Sequence, residues 1–274
     1  MTTKTDAPLP PGAFAAMGTV VSLRLDLEPA VAATGEQADV LRDRVVACAQ
    51  SAFARWEARC SLFDPNSELS RIGRGALALA DADPRVRDAY ALAMHWRAAT
   101  DGAFTPHRGD GRIDLNGVVK ALAAVEAGEA ISAVGIGRWA IDAGGDVLVA
   151  PAAADTGPRG ADWRVGIAEP ADRMRLLTRF DLDGRGRRAI ATSGSAERGD
   201  HIWTQPGVGP SPFLQASVAA GDLVTADVLA TAIIAGGHAA YDDLAARHDI
   251  DALVVTREGG LLATPGWPRA VPVR

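Results

Sequence analysis

Cysteine is almost absent from this sequence: Cys48 and Cys60 are the two thiols in 274 residues. They make neither a disulfide framework nor a metal-ligand pattern, and Cys48, inside a helical pattern, reads as a small buried hydrophobe. No run approaches the roughly 18 apolar residues of a membrane span, so no membrane partner is expected. The opening MTTKTDAPLPP holds three prolines and no apolar segment of the secretory kind, and a cytoplasmic location is the expectation. Positive charge is in the minority, with 28 Lys+Arg against 34 Asp+Glu and a net charge of -6. That excludes a general nucleic-acid surface but leaves room for a phosphate-bearing ligand held by a local cation or a metal. The sequence has no P-loop, no GxGxxG, no HExxH and no GxSxG.

What is present is the composition of a folded soluble protein, 48% hydrophobic and 23% charged. Residues 1–12 read as a disordered lead-in and 13–274 as a single domain. The alternating, β-branched stretch TVVSLRLDL (19–27) predicts a strand. Helical spacing runs from Gln37 to Arg59, again over 83–100 with Pro84 in the first turn, and over 115–135. Between the first two, Ser67 is placed to cap a short helical turn. From there the period changes. RWAIDAGGDVLVA (138–150) reads as strand, Gly-Gly turn, strand. Further strands are expected at 162–170, 177–184, 188–203 and 214–222, then a helix from Ala226 to Arg247 and a hairpin turning at Gly259-Gly260. Helices on a largely antiparallel sheet define an α+β protein.

Four stretches carry possible chemistry. TADVLATAII (225–234) puts Asp227 and Thr231 on one helix face, one turn apart. A carboxylate and a hydroxyl so placed suit a hard cation such as Mg²⁺; alternatively Thr225 or Asp227 caps the helix and Thr231 bonds back to a carbonyl. DLNGVVKA sets Asp114, Gly117 and Lys120 at a helix start, where anions are favoured; the alternative is a cap and a solvated lysine. DAGGDVLV is a hairpin turn whose bare backbone could approach a flat ligand. IATSGSAERGDHIW offers hydroxyls and N–H groups to a phosphate, with His201 as a possible general base or an ordinary structural histidine.

Taken in order, AAMGTVVSL, CSLFDPNSELSRI, DGAF, DLNGVVK, DAGGDVLV, WRVGIAEP, AIATSGS…HI and ASVAAGDLVTADVLATA resemble the ApbE-like FAD:protein FMN transferase family over about residues 14–240. The resemblance implies an α+β fold whose two lobes meet at a flavin-nucleotide cleft. It implies transfer of FMN from FAD to a Thr or Ser hydroxyl of a flavin-accepting protein, with Mg²⁺ and release of AMP. A FAD pyrophosphatase and a non-catalytic flavin-binding protein are the other readings. By position, Asp227, Thr231 and the Gly117 carbonyl match the metal ligands. Met17, Phe63, Ala103, Phe104, Thr105, Asp114, Lys120 and Ile202 match the flavin-nucleotide contacts. His201 and Asp227 are the candidates to take the acceptor's proton. The chain departs from the family pattern at Thr105, at Ala121, and at Val125, where the acidic residue stands one step later as Glu126.

Overall fold

The computed structural model describes residues 9–151, 163–183, 186–194 and 210–268. The elements in chain order are β1 (Ala13–Ala16), β2 (Thr19–Leu25), α1 (Glu28–Thr34), α2 (Ala38–Cys60), α3 (Glu68–Gly73), α4 (Pro84–Ala99), α5 (Asn116–Ala133), β3 (Trp139–Ala143), β4 (Val147–Val149), β5 (Trp163–Ala168), β6 (Leu176–Leu182), β7 (Ala189–Gly194), β8 (Phe213–Ala220), α6 (Leu223–Arg247), β9 (Asp251–Thr256) and β10 (Leu261–Ala263). Eight strands form one sheet in the order β1-β2-β3-β4-β7-β8-β9-β10, and β5 pairs with β6 apart from it. Every pairing is antiparallel. The fold is α+β, as expected.

Side chains alternate across a strand, and here both faces of the central strands are apolar. Ile141, Leu148, Ala189, Ala191, Val218 and Val254 join a core with α2, α5 and α6. Their neighbours Ala140, Val147, Val149, Ile190, Ala219 and Leu253 pack on the other face with Ile167, Phe180 and Leu182 of β5 and β6 and with Trp267. The small sheet is thus the cover for the face that the helices do not reach. At this cover Phe180 and Trp267 have ring centroids 4.8 Å apart.

Side-chain caps start three of the six α-helices, α3, α4 and α6. The Ser67 hydroxyl accepts the Ser70 N–H (3.0 Å) at α3, and Asp83 accepts the Arg85 N–H (2.8 Å) with Pro84 following it at α4. The start of α6 differs from expectation. Asp222 is the cap, taking the Thr225 N–H at 2.8 Å and the Thr225 hydroxyl at 2.7 Å. The helix therefore begins at Leu223 rather than Ala226, and Asp227 lies in its second turn instead of at its end. It also bends at Gly237, whose φ of 64° and ψ of -148° are not helical. By length and composition α6 could cross a membrane, but most of it is buried in the core. Strand β1 and helix α1 are additions to the elements expected.

Glu126 ties three helices together. It accepts from Arg55 of α2 (2.6 and 3.0 Å), from Arg85 of α4 (2.9 Å) and from the Trp56 indole (2.9 Å). Burial pushes its carboxyl up, but the two guanidinium groups outweigh that and the net shift is downward. A carboxyl lowered in the folded state adds stability above its unfolded pKa and loses it as pH falls through the folded pKa. Both arginines are nearly half exposed, so solvent screening keeps the contribution modest. Glu126→Ala is expected to cost about 1–2 kcal/mol at neutral pH in urea unfolding. The gap between the two proteins should close as pH drops below about 4.

Candidate active site

The sheet brings two tight turns to one end. Met17-Gly18 joins β1 to β2, with φ of 49° and 72°, and Gly144-Gly145 joins β3 to β4, with φ of 71° and 97°. Because Val21 faces Ala143 in register, the turns lie side by side, and the Gly144 N–H donates to the Val20 carbonyl at 3.1 Å. A Cβ on Gly144 would collide with the Thr19 side chain, so this residue must be glycine both for its positive φ and for the close approach. Strand β7 runs antiparallel to β4, pairing Val147 with Ile190, and so its Thr192-Ser193-Gly194 end reaches the same place.

Asp146 follows the second turn and is 1% exposed. Its Oδ1 accepts the Thr192 N–H at 3.1 Å, and its Oδ2 contacts the Lys120 ammonium. Lys120 comes from the second turn of α5, with 16% of its side chain exposed, and its Nζ is 4.0 Å from Asp227 Oδ2. Asp227 is 5% exposed. One turn further along α6, the Thr231 hydroxyl is 3.1 Å from the Ser193 hydroxyl. On the neighbouring strand position, Thr192 Oγ1 and Ser217 Oγ are 2.8 Å apart. Two buried carboxylates therefore flank one ammonium, beside a pair of hydroxyls. Burying such groups is costly unless they are paired. Asp142, before the turn, accepts the Gly145 N–H at 2.8 Å. Lost hydration, and then the Asp146 charge, push its carboxyl above the ordinary range. Asp142 is nevertheless exposed to solvent, on the strand face opposite the buried Ile141 and Ala143 neighbours.

Of the residues singled out in the sequence, Lys120, Asp227 and Thr231 meet here. The helix-cap alternative for Asp227 does not hold, since Asp222 is the cap, and Lys120 is not a solvated surface charge. Gly117 sits one turn before Lys120, pressed on Phe104: a Cβ there would come within 2.6 Å of the ring. Phe104 is 4% exposed and forms part of the floor under the start of α5. Ala103 packs toward Gly236 of α6. The Thr105 hydroxyl accepts the His107 N–H at 3.2 Å. Asp114 accepts the Asn116 N–H at 2.9 Å in the turn before α5, whose N-cap is Leu115, and lies 3.7 Å from Arg108. Met17 is in the first of the two turns. Phe63 projects from the loop before α3, 95% exposed. His201 and Ile202 lie outside the described residues.

Asp146 and Ser193 were not singled out. Asp146 serves Lys120, one of only two lysines among the 28 basic residues, and Ser193 serves Thr231; strand pairing brings both to their partners. A shallow hollow of about 580 Å³ lined by Arg55, Trp56, Arg85, Leu122, Val125 and Glu126 lies on the other side of α5. It contains none of the site residues. Among the described residues no three His, Cys, Asp or Glu side chains gather as a metal cluster. A cation here would rest on one or two carboxylates, hydroxyls, backbone and ligand oxygens, which is the donor set Mg²⁺ takes in phosphate sites.

The ApbE family model matches residues 17–111 and 105–254, and the chain belongs to the ApbE family. Among solved structures it is similar to the ApbE protein of Thermotoga maritima (TM-score 0.73, 19% identity, 92% of this chain and 96% of that one). It is also similar to the flavin transferase ApbE of Vibrio cholerae (0.69, 17%, 92% and 95%) and to the flavinyl transferase ApbE of Pseudomonas stutzeri (0.69, 20%, 94% and 93%). At these identities the likeness establishes a shared fold. No curated protein matches the chain.

Gly144→Ala tests the geometry of the turn. Positive φ alone disfavours an L side chain by about 1–2 kcal/mol, and the Thr19 collision adds to it. Thermal unfolding should show a loss of about 2 kcal/mol or more.

Proposed function

We propose that the chain transfers FMN from FAD to a Thr or Ser hydroxyl of a flavin-accepting protein and releases AMP. The observation that carries this reading is the meeting of Lys120, Asp227 and Thr231 at one end of the sheet, in a chain of this family. Relatives of the same fold are named as flavin transferases. In this reading Asp227, Thr231 and the Gly117 carbonyl hold Mg²⁺, and the oxygen-rich donor set around Asp227 and Thr231 fits a hard cation. When bound, the metal neutralises negative charge on the pyrophosphate of FAD.

The remaining work falls to the chain. Phosphoryl transfer is largely positioning and charge neutralisation. Lys120 offers a fixed positive charge where the diphosphate would lie, and the Gly144-Gly145 backbone leaves space for a flat ligand. The acceptor oxygen forms a bond to the FMN phosphorus, the bond from that phosphorus to the bridging oxygen breaks, and AMP departs with that oxygen. The acceptor's proton goes to a base, for which His201 and Asp227 are the candidates. Met17, Phe63, Ala103–Thr105, Asp114 and Ile202 are the proposed nucleotide contacts, with Phe63 exposed and able to stack.

The test is AMP release from FAD with Mg²⁺, run with and without a Thr-bearing acceptor whose intact mass is followed. The expected result is AMP together with an acceptor heavier by one FMN group. Asp227→Ala should lower the rate by more than the roughly 10–100-fold that loss of an outer-shell group costs. AMP and free FMN with an unmodified acceptor would instead identify a pyrophosphatase. No AMP at any Mg²⁺ concentration, with flavin retained, would leave a binding protein.

A further inference from the structure

The β5–β6 hairpin runs across the sheet from one end to the other. At the start of β5, the Arg138 guanidinium lies 4.6 Å from the centre of the Trp163 ring. Arg138 precedes β3, at the opposite end of that strand from Gly144. At the close of β5, the Ala168 carbonyl accepts the Gln215 amide at 3.3 Å, and Gln215 faces Gly194 in the β7–β8 register. The turn at 169–175 therefore emerges beside the end of β7, at the same end of the sheet as the Ser193–Thr231 pair. Backbone N–H groups of Glu169, Asp172 and Arg175 donate within the turn and fix its shape.

This turn exposes side chains of the kind the core takes elsewhere. Met174 is 93% exposed and Leu176 51%. A register shift at Ile167/Ala168 separates two consecutive leucines. Leu177 packs on the core beneath, while Leu176 lies across the exposed Gly166, where a Cβ would come within 2.7 Å of it. A bulge and a bare glycine thus seat a leucine on the outside. Single exposed apolar residues are ordinary, but these two stand in RMRLLTR (173–179), with three arginines and no acid in a chain of net charge -6. All three arginines are exposed. The acids beside them are Asp172, which accepts the Met174 N–H at 3.0 Å, and Glu169, 3.6 Å from Arg175, so positive charge stays in excess. Methionine adapts to a partner's contours, and arginine is enriched where proteins meet.

We propose that the tip of the β5–β6 hairpin docks the flavin-accepting protein, with Met174 and Leu176 as anchors and Arg173, Arg175 and Arg179 facing acidic residues around an apolar patch of that partner. The inference rests on the transfer reading given under Proposed function. A protein whose hydroxyl is to reach the end of β7 must approach this end of the sheet, and the hairpin tip stands beside its path. The tip acts on the encounter rather than on the chemistry. Its arginines speed arrival and its apolar anchors slow departure.

The test uses the double variant Met174→Ser/Leu176→Ser in the full-length protein. FMN transfer to the Thr-bearing acceptor protein is followed by intact mass, and FAD affinity by flavin fluorescence. The KM for the acceptor should rise at least about tenfold, with kcat at saturating acceptor and FAD affinity unchanged. Arg173→Gln/Arg175→Gln should also raise that KM and flatten its dependence on ionic strength. An unchanged acceptor KM overturns the inference, whether the patch then proves to bind a second copy of the chain in sedimentation or anionic vesicles in flotation. A matching fall in kcat or in FAD affinity overturns it too, because the tip would then serve the fold. If the serine variant does not fold, as judged by circular dichroism, the arginine variant decides on the same criteria. Wild type that binds FAD and leaves the acceptor unmodified would remove the transfer reading itself.

Discussion

One buried ammonium between two buried carboxylates sets the terms for this structure. Lys120, Asp146 and Asp227 come from a helix start, a hairpin turn and the second turn of another helix. Removing charges from water costs several kcal/mol for each ion after relaxation, and close, well-directed contacts are what offset it. Those contacts exist only if α5, α6, β4 and β7 arrive at one point together. The antiparallel order β3-β4-β7-β8 supplies that convergence. It puts the β3–β4 turn and the end of β7 at the same edge of the sheet, with α5 and α6 packed on the face behind them.

Close backbone approach makes the convergence possible. Gly144 lies against Thr19, and Gly117 lies on the Phe104 ring, each where a methyl group would not fit. At the other face, β5 and β6 bury the side chains that the helices leave uncovered, so the strands carrying the site are held from both sides. Rigid support of this kind suits the proposed FMN transfer, which would depend on placing a phosphorus between an attacking and a leaving oxygen. The polar groups at the site are expensive to bury, and the apolar layers above and below are what make that cost bearable.

Much of the framework was legible because its signals are local. Period-two alternation marked β2, Pro84 and Ser67 marked helix starts, and the paired glycines marked the β3–β4 and β9–β10 hairpins. The α6 start was misplaced because Thr225 and Asp227 are themselves good capping residues. The true cap, Asp222, lies just beyond the Gly221 that follows the preceding strand, and it binds Thr225 instead of competing with it. Strand β1 was missed because four residues between a proline-rich lead and a Met-Gly turn are too few to show a period. The site was legible in part: Asp227, Thr231 and Lys120 could be named from helical spacing and motif order. Asp146 and Ser193 could not, since their roles depend on which strands pair. In the sequence each is simply the residue beside a turn or within a Gly/Ser stretch.

The scarcity of lysine shows what the site demands. Arginine serves at nearly every other basic position of this chain, including the paired sites at Arg55, Arg85 and Arg187. Its broad planar fork is well matched to a carboxylate approached from the side, as at Glu126. Between Asp146 and Asp227 the requirement is different. Lys120 is a compact point charge on a flexible stem, in contact with Asp146 and 4.0 Å from Asp227 Oδ2, so one small cation serves both buried carboxylates where a planar fork would need room on every side.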